Sequence, residues 1–314
     1  MNQNWLIGNA MVAREMTKGA KAGVLVALGI LSACSSIPVT HVESTNQSSR
    51  VDYLVIHSTS ENFGESLRLL STPTDNPVSS HYLVPEINDP TYPHRSLRVY
   101  SLVDELRRAW HAGVSYWAGE ENLNDRSIGI EVVNEFKCSG TEMPVSEIDL
   151  ATVECVFPGF SDEQITLLIA LIKDILARYP GIDPVDVVAH SDIAIMRKSD
   201  PGPEFPWHRL YEEGIGAWPD SETVMAYQQR FSGDFPTVES LQTGLLNLGY
   251  LVEVTGEYDK QTQFAVRAFQ LHFRPADYSG IADVETAARL WALLEKYRLL
   301  SLEEMESVLP EIME

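Results

Sequence analysis

The apolar positions of this chain change period along its length, and each change marks an element. The run Val51-Asp52-Tyr53-Leu54-Val55-Ile56 is β-branched and aromatic and predicts a strand that ends at His57. Ser127-Ile128-Gly129-Ile130-Glu131-Val132-Val133 predicts an inner strand that carries one carboxylate, a charge that something has to match. The period then lengthens: Ser161-Asp162-Glu163-Gln164 has the form of a capping box, and Ile165, Leu168, Ile169, Ile172, Ile175 and Leu176 follow at helical spacing up to Tyr179-Pro180-Gly181. A short strand over 185–189 delivers His190 at its end. Strands and helices alternate, so an α/β layered domain around a sheet is expected.

Beyond Trp218-Pro219-Asp220 the chain is polar until Pro236, after which another pattern begins. Leu241, Leu245, Leu248 and Tyr250 lead to the turn Thr255-Gly256-Glu257-Tyr258-Asp259. A helix through Thr262, Ala265, Val266 and Phe269 follows, then another around Thr286, Leu290, Leu293 and Leu294. These make a small all-α three-helix domain, with its boundary near 235.

The first fifty residues read differently. Arg14, Lys18 and Lys21 precede an apolar run over 23–31, too short to span a bilayer but of signal-peptide length. The run ends in Leu31-Ser32-Ala33-Cys34-Ser35, which resembles a bacterial lipobox, so 1–33 are expected to be removed and Cys34 acylated. Met16 is a candidate start, because the stretch before the apolar run is long. Ser35 after the cysteine, in place of an acidic residue, resembles lipoproteins of the outer membrane; residues 34–49 then form a polar tether. Export leaves Cys138 and Cys155 where a disulfide can persist, worth about 3 kcal/mol for a loop of that size. Whether they pair is not legible.

Composition narrows the classes. The 314 residues suit two domains plus an export segment, at roughly 150 residues per domain. With 44% hydrophobic and 22% charged residues a real core is expected. A formal net charge of −22 and the lack of a Lys/Arg cluster argue against nucleic-acid binding.

Candidate chemistry gathers where the strands end. His57 and His190 both close apolar strands, which fixes their backbones as a metal site requires. After the second comes His190-Ser191-Asp192-Ile193-Ala194-Ile195-Met196-Arg197-Lys198-Ser199-Asp200-Pro201-Gly202. Together, the strand ending in His57-Ser58-Thr59, the Ile128-Gly129-Ile130-Glu131 strand and this loop resemble the type-2 N-acetylmuramoyl-L-alanine amidases. The match is nearest to their AmiD-like outer-membrane lipoprotein branch and covers roughly 50–215.

The resemblance implies a mixed central sheet flanked by helices over 50–235. It also implies a zinc ion held by His57, His190 and Asp200, leaving a fourth position open for water. Glu131 occupies the family's acid/base position, and Lys198 matches the lysine that stabilises the oxyanion. His81, Tyr82, His111, Tyr116 and Trp117 fall where relatives line the substrate groove, although Tyr116 and Trp117 also suit a core. His111 and His208 are runner-up ligands. The stretch 236–300 resembles a peptidoglycan-binding domain.

The expected activity is hydrolysis of the amide between the lactyl group of N-acetylmuramic acid and L-alanine of the peptide stem. The expected partners are peptidoglycan, muropeptides and, through Cys34, the periplasmic side of the outer membrane, with the chain acting as a monomer. Two rivals remain. A non-catalytic peptidoglycan-recognition protein is disfavoured because all three ligands and Glu131 are present. A zinc peptidase acting further down the stem is separated only by the resemblance, since metal chemistry alone permits it. Preference for anhydro-muramic acid, stem requirements and physiological role are not legible.

Overall fold

The strand predicted from Val51 begins two residues later in the computed structural model, which describes residues 40–47, 49–140 and 147–299. His57 therefore lies inside the strand, not after it. In chain order the elements of the first part are β1 (Tyr53–Ser58), α1 (Phe63–Ser71), β2 (Tyr82–Val84), β3 (Tyr100–Ser101), β4 (Tyr116–Trp117), β5 (Glu120–Glu121) and β6 (Ser127–Val132). There follow β7 (Lys137–Ser139), β8 (Glu154–Val156), α2 (Asp162–Arg178), β9 (Val187–Ala189), α3 (His190–Ile193) and α4 (Trp207–Glu212). The rest is helical: α5 (Ser221–Phe231), α6 (Val238–Leu248), α7 (Lys260–Phe273) and α8 (Val284–Leu293). The last predicted strand is shorter than expected because Pro184, with no N–H to give a ladder, opens a 3-10 turn over Pro184–Asp186.

The main sheet runs β3-β2-β6-β1-β9. Its inner pairs are parallel and only β3 is antiparallel, so the sheet is mixed, as expected. Side chains alternate across it. Leu54, Ile56, Ile128, Ile130, Val132, Val187 and Ala189 face α2, where Ile165, Leu168, Ile172 and Ile175 cover them. Tyr53, Val55 and Val188 face the opposite way, into a core that continues through Trp117 and Ile193 to Leu245, Tyr250, Phe269 and Trp291. The C-terminal helices thus form the second layer over the sheet.

Ser161 caps α2 as predicted, accepting from the Gln164 amide. The reciprocal half of the capping box is absent, because the buried Gln164 side chain donates instead to Val84 O and Val133 O where β2 and β6 end. Caps of the same kind start the C-terminal helices: Thr237, Asp259 and Asp283 each accept from the third residue onward. α5 falls in the stretch read as polar. It has few apolar positions, but Val224 and Phe231 are buried, and the Phe231 ring meets Trp291 of α8 at 5.3 Å.

Trp117 sits at the seam of the two layers, 2% exposed, its indole N–H donating to Asp186 Oδ1 at 3.1 Å. Burial pushes the Asp186 carboxyl up to about 6, against the pull of Arg298 and this hydrogen bond. A raised folded-state pKa means that Asp186 favours the fold when protonated, and that this contribution is lost as pH rises from about 4 through about 6. Asp186→Asn, which keeps the acceptor for Trp117, is expected to stabilise the protein by about 1–2 kcal/mol at pH 7.5 and by nothing at pH 4. Urea denaturation at the two pH values checks this.

Candidate metal centre

The sheet register assembles the site. His57 pairs with Glu131 across β1 and β6, and β9 lies on the other side of β1, delivering His190 one residue beyond its end. Because period-two alternation puts His57 with Tyr53 and Val55, Glu131 with Gly129, and His190 with Val188, all three side chains leave the same face. They do so at the carboxyl ends of three adjacent parallel strands, where open α/β sheets hold their ligands. Asp200 returns to the same point: its backbone carbonyl accepts from Ser191 N at 2.9 Å, and its carboxylate oxygen Oδ2 from Ser58 N at 3.4 Å.

Three ligand atoms converge there. His57 Nδ1 and His190 Nδ1 are 2.8 Å apart, and Asp200 Oδ2 lies 3.6 Å from the first and 3.2 Å from the second. All three residues are buried, and among the described residues they are the group of His, Cys, Asp and Glu able to hold a metal ion.

Their hydrogen-bond partners fix the protons. Leu123 O can only accept, so the Ser127 hydroxyl donates to it at 2.6 Å. Ser127 Oγ therefore accepts from His111 Nε2–H at 3.1 Å, which leaves His111 Nδ1 bare to accept from His57 Nε2–H at 2.9 Å. His57 Nδ1 is then without a proton. Likewise His190 Nε2–H donates to Ala112 O at 3.3 Å, which leaves His190 Nδ1 bare. Burial, then the neighbouring His190, holds His57 down to about 3, and burial lowers His190 as well. Two lone pairs and a carboxylate oxygen thus face one another with no proton among them, an arrangement that a cation resolves.

The other predicted residues divide. Glu131 and Lys198 line the same cleft of about 340 Å³. Burial and the charge of Asp200 push the Glu131 carboxyl up to about 8, against Lys198; a cation between the three ligands pulls the other way. His111 also borders the cleft, but both its ring nitrogens are spent in the relay, so it supports His57 and is not itself a ligand. Gly129 makes room for it: a Cβ there would lie 2.4 Å from His111 Cγ.

Four of the residues expected in the groove do not line this cleft. His81 is fully buried, accepting from Gly129 N at Nδ1 and donating from Nε2 to Arg107 O. Tyr82 donates to Glu105 at 2.6 Å and packs towards α2. Trp117 is core, because Tyr250 meets it at 4.9 Å and Gly249 closes over it. Tyr116 is half-buried in the β4–β5 hairpin and does not border the cleft. His208 lies exposed on α4 beside Glu212, far from the ligand group in its contacts. Cys34 lies outside the described residues.

Other residues also shape the cleft. Trp110 stands at its rim, half exposed, and Arg197 donates to Ala112 O and Val114 O beside His190. Phe136 and the disulfide between Cys138 and Cys155, which joins β7 to β8, form another wall.

A family model described as N-acetylmuramoyl-L-alanine amidase matches residues 47–203, half of the chain. The chain belongs to the N-acetylmuramoyl-L-alanine amidase family. A second model, a peptidoglycan-binding domain, matches 236–290. The chain is 45% identical over 251 residues to the N-acetylmuramoyl-L-alanine amidase AmiD of Escherichia coli, covering 79% of this chain and 84% of that one. The crystal structure of AmpDh3 from Pseudomonas aeruginosa superposes with a TM-score of 0.76 at 42% identity, covering 84% of this chain and 100% of the other. E. coli AmiD, in complex with its substrate anhydro-N-acetylmuramic acid-L-Ala-D-γ-Glu-L-Lys, gives 0.68 at 43% identity, covering 82% and 94%. These family likenesses span both the sheet and the C-terminal helices.

Proposed function

We propose that this protein is a zinc-dependent amidase that cleaves muropeptides and peptidoglycan between the lactyl group of N-acetylmuramic acid and L-alanine. The observation that carries the reading is the set of three converging donors, His57 Nδ1, His190 Nδ1 and Asp200 Oδ2, of which His190 and Asp200 line a cleft shared with Glu131 and Lys198 while His57 lies buried behind them. Ligands about 2.0–2.1 Å from a tetrahedral zinc lie roughly 3.3–3.4 Å from each other, and the three edges here, 2.8, 3.2 and 3.6 Å, bracket that spacing. Two imidazoles and a carboxylate suit zinc, and three protein ligands leave a position for water. Zinc contributes Lewis acidity there, acidifying water and polarising a carbonyl oxygen.

The chain's own groups do the rest. His57, His190 and Asp200 hold the ion, and the His111–Ser127 relay keeps His57 in the tautomer that binds it. The Glu131 carboxylate, which lines the same cleft, takes a proton from the attacking water. As the C–N bond of the tetrahedral intermediate breaks, Glu131 returns that proton to the alanine nitrogen, which leaves as an amine. The Lys198 ammonium lines the same cleft and stabilises the negative oxygen formed on the way. The products are a lactyl carboxylate on the sugar and a free peptide stem.

The proposal extends to place and tether. Cys34 after small residues provides the acyl anchor, facing the periplasm from the outer membrane, and the region matched to a peptidoglycan-binding domain contacts the wall. No helix among the described residues is long and apolar enough to cross a membrane.

Mass analysis of products from purified anhydro-muropeptides, with and without zinc restored to chelator-treated protein, tests the core of the reading. Release of intact stems that begin at L-alanine, only when zinc is present, is expected. Stems shortened at their far end would make the protein a peptidase instead.

A further inference from the structure

Asp192 lies two residues beyond His190 and is completely buried. A carboxylate so enclosed needs donors, and three converge on it, each at 2.7 Å. Ala189 N–H donates to Oδ2, His272 Nδ1 donates to the same oxygen, and the Tyr250 hydroxyl donates to Oδ1. The first bond comes from its own turn: it closes the start of α3, a helix of four residues whose preceding Ala189 has no side chain with which to cap it. The other two come from α7 and from the loop after α6, inside the region matched to a peptidoglycan-binding domain.

Both outside donors are immobilised. The buried Tyr250 ring stands edge-on to Trp117, and the preceding Gly249 approaches that indole so closely that a Cβ would lie 2.6 Å from it. His272 is sandwiched, its ring centroid 3.8 Å from that of Trp207 and 3.9 Å from that of Phe273. What they hold is short and consequential. His190 is the first residue of α3, and the next amide, Ser191 N–H, donates to Asp200 O. One turn therefore carries one candidate metal ligand and anchors a second.

We propose that the C-terminal helical region is a positioning element of the metal centre. Tyr250 and His272 fix Asp192, Asp192 fixes the first turn of α3, and that turn aims His190 Nδ1 at the point shared with His57 and Asp200. The inference rests on the zinc reading above. It assigns the region a part in the chemistry that is separate from any contact with the wall, and it makes Asp192, Tyr250 and His272 positioning residues.

The test uses the full chain. Tyr250→Phe with His272→Leu removes both outside donors while keeping bulk, and zinc affinity is measured by competition with a chromogenic chelator. A loss of about 10–100-fold is expected, the range for supports behind metal ligands, with kcat for a soluble muropeptide lowered and KM unchanged. His272→Asn in the Tyr250→Phe background, whose amide nitrogen stands near the lost Nδ1, is expected to restore most of the affinity. Leu290→Ala, which trims the C-terminal core on α8, supplies a variant with lowered Tm and intact zinc affinity. If the double variant does not fold, Tyr250→Phe alone carries the test with several-fold weaker binding. Unchanged zinc affinity in the folded Tyr250 and His272 variants overturns the proposal, as does an equal loss in Leu290→Ala at matched Tm. Wild-type protein that takes up no zinc overturns both this inference and the reading beneath it.

Discussion

Replacing Glu131 with glutamine is expected to leave zinc at one per chain and to lower turnover of muropeptides by about 10²–10⁴, the range for losing a general acid/base. Glu131 shares the strand end with His57 but is not among the three converging ligand atoms, so the metal site has no need of its charge. Glutamine keeps the shape of the side chain and removes its charge and its ability to carry a proton. Metal analysis and kinetics on one preparation separate the outcomes. Loss of zinc from a folded variant would make Glu131 a ligand or its direct support. Near-normal turnover with zinc retained would require another base.

His190→Ala is expected to lose both metal and activity. Its Nδ1 supplies one of three ligand atoms, and its Nε2–H ties the ring to Ala112 O; without it His57 Nδ1 and Asp200 Oδ2 face each other alone, 3.6 Å apart. Two ligands do not define a tetrahedral site, so bound zinc should fall below roughly 0.1 per chain after dialysis, and turnover should reach the background rate. Circular dichroism establishes that the variant is folded, and elemental analysis reads the metal. A folded His190→Ala protein that kept stoichiometric zinc would falsify the assignment of the centre.

Much of the site was written in short-range patterns. Strand period fixes which side chains of one strand share a face, so His57 goes with Tyr53 and Val55, Glu131 with Gly129 and His190 with Val188; the register then puts the three on one side of the sheet. Asp200 follows from the loop that resembles the family's. The groove residues show where such reasoning stops. His81, Tyr82 and Trp117 sit in the expected segments but point into the protein, because their surroundings come from chain far away: Gly129 for His81, Glu105 for Tyr82, Gly249 and Tyr250 for Trp117. Local sequence holds no record of those neighbours. α5 escaped for a related reason, since its two inward side chains become meaningful only when α8 lies beside them.

By itself, then, the sequence determined the strands that carry His57, Glu131 and His190, the capped helix over 162–178 and the C-terminal helices, because propensity, capping and period act over a few residues; the ligand set came from the family resemblance. Tertiary structure alone decided the strand order β6-β1-β9 that brings those residues together and the pairing of Cys138 with Cys155. It also decided the proton positions around His57, which pass through His111 and Ser127 to the Leu123 carbonyl. The continuation of the core from the sheet into the C-terminal helices, with Asp192 clamped between them, belongs to the same class. Burial and hydrogen bonding are properties of groups that meet in space, and nothing in the spacing of residues along the chain records which groups will meet.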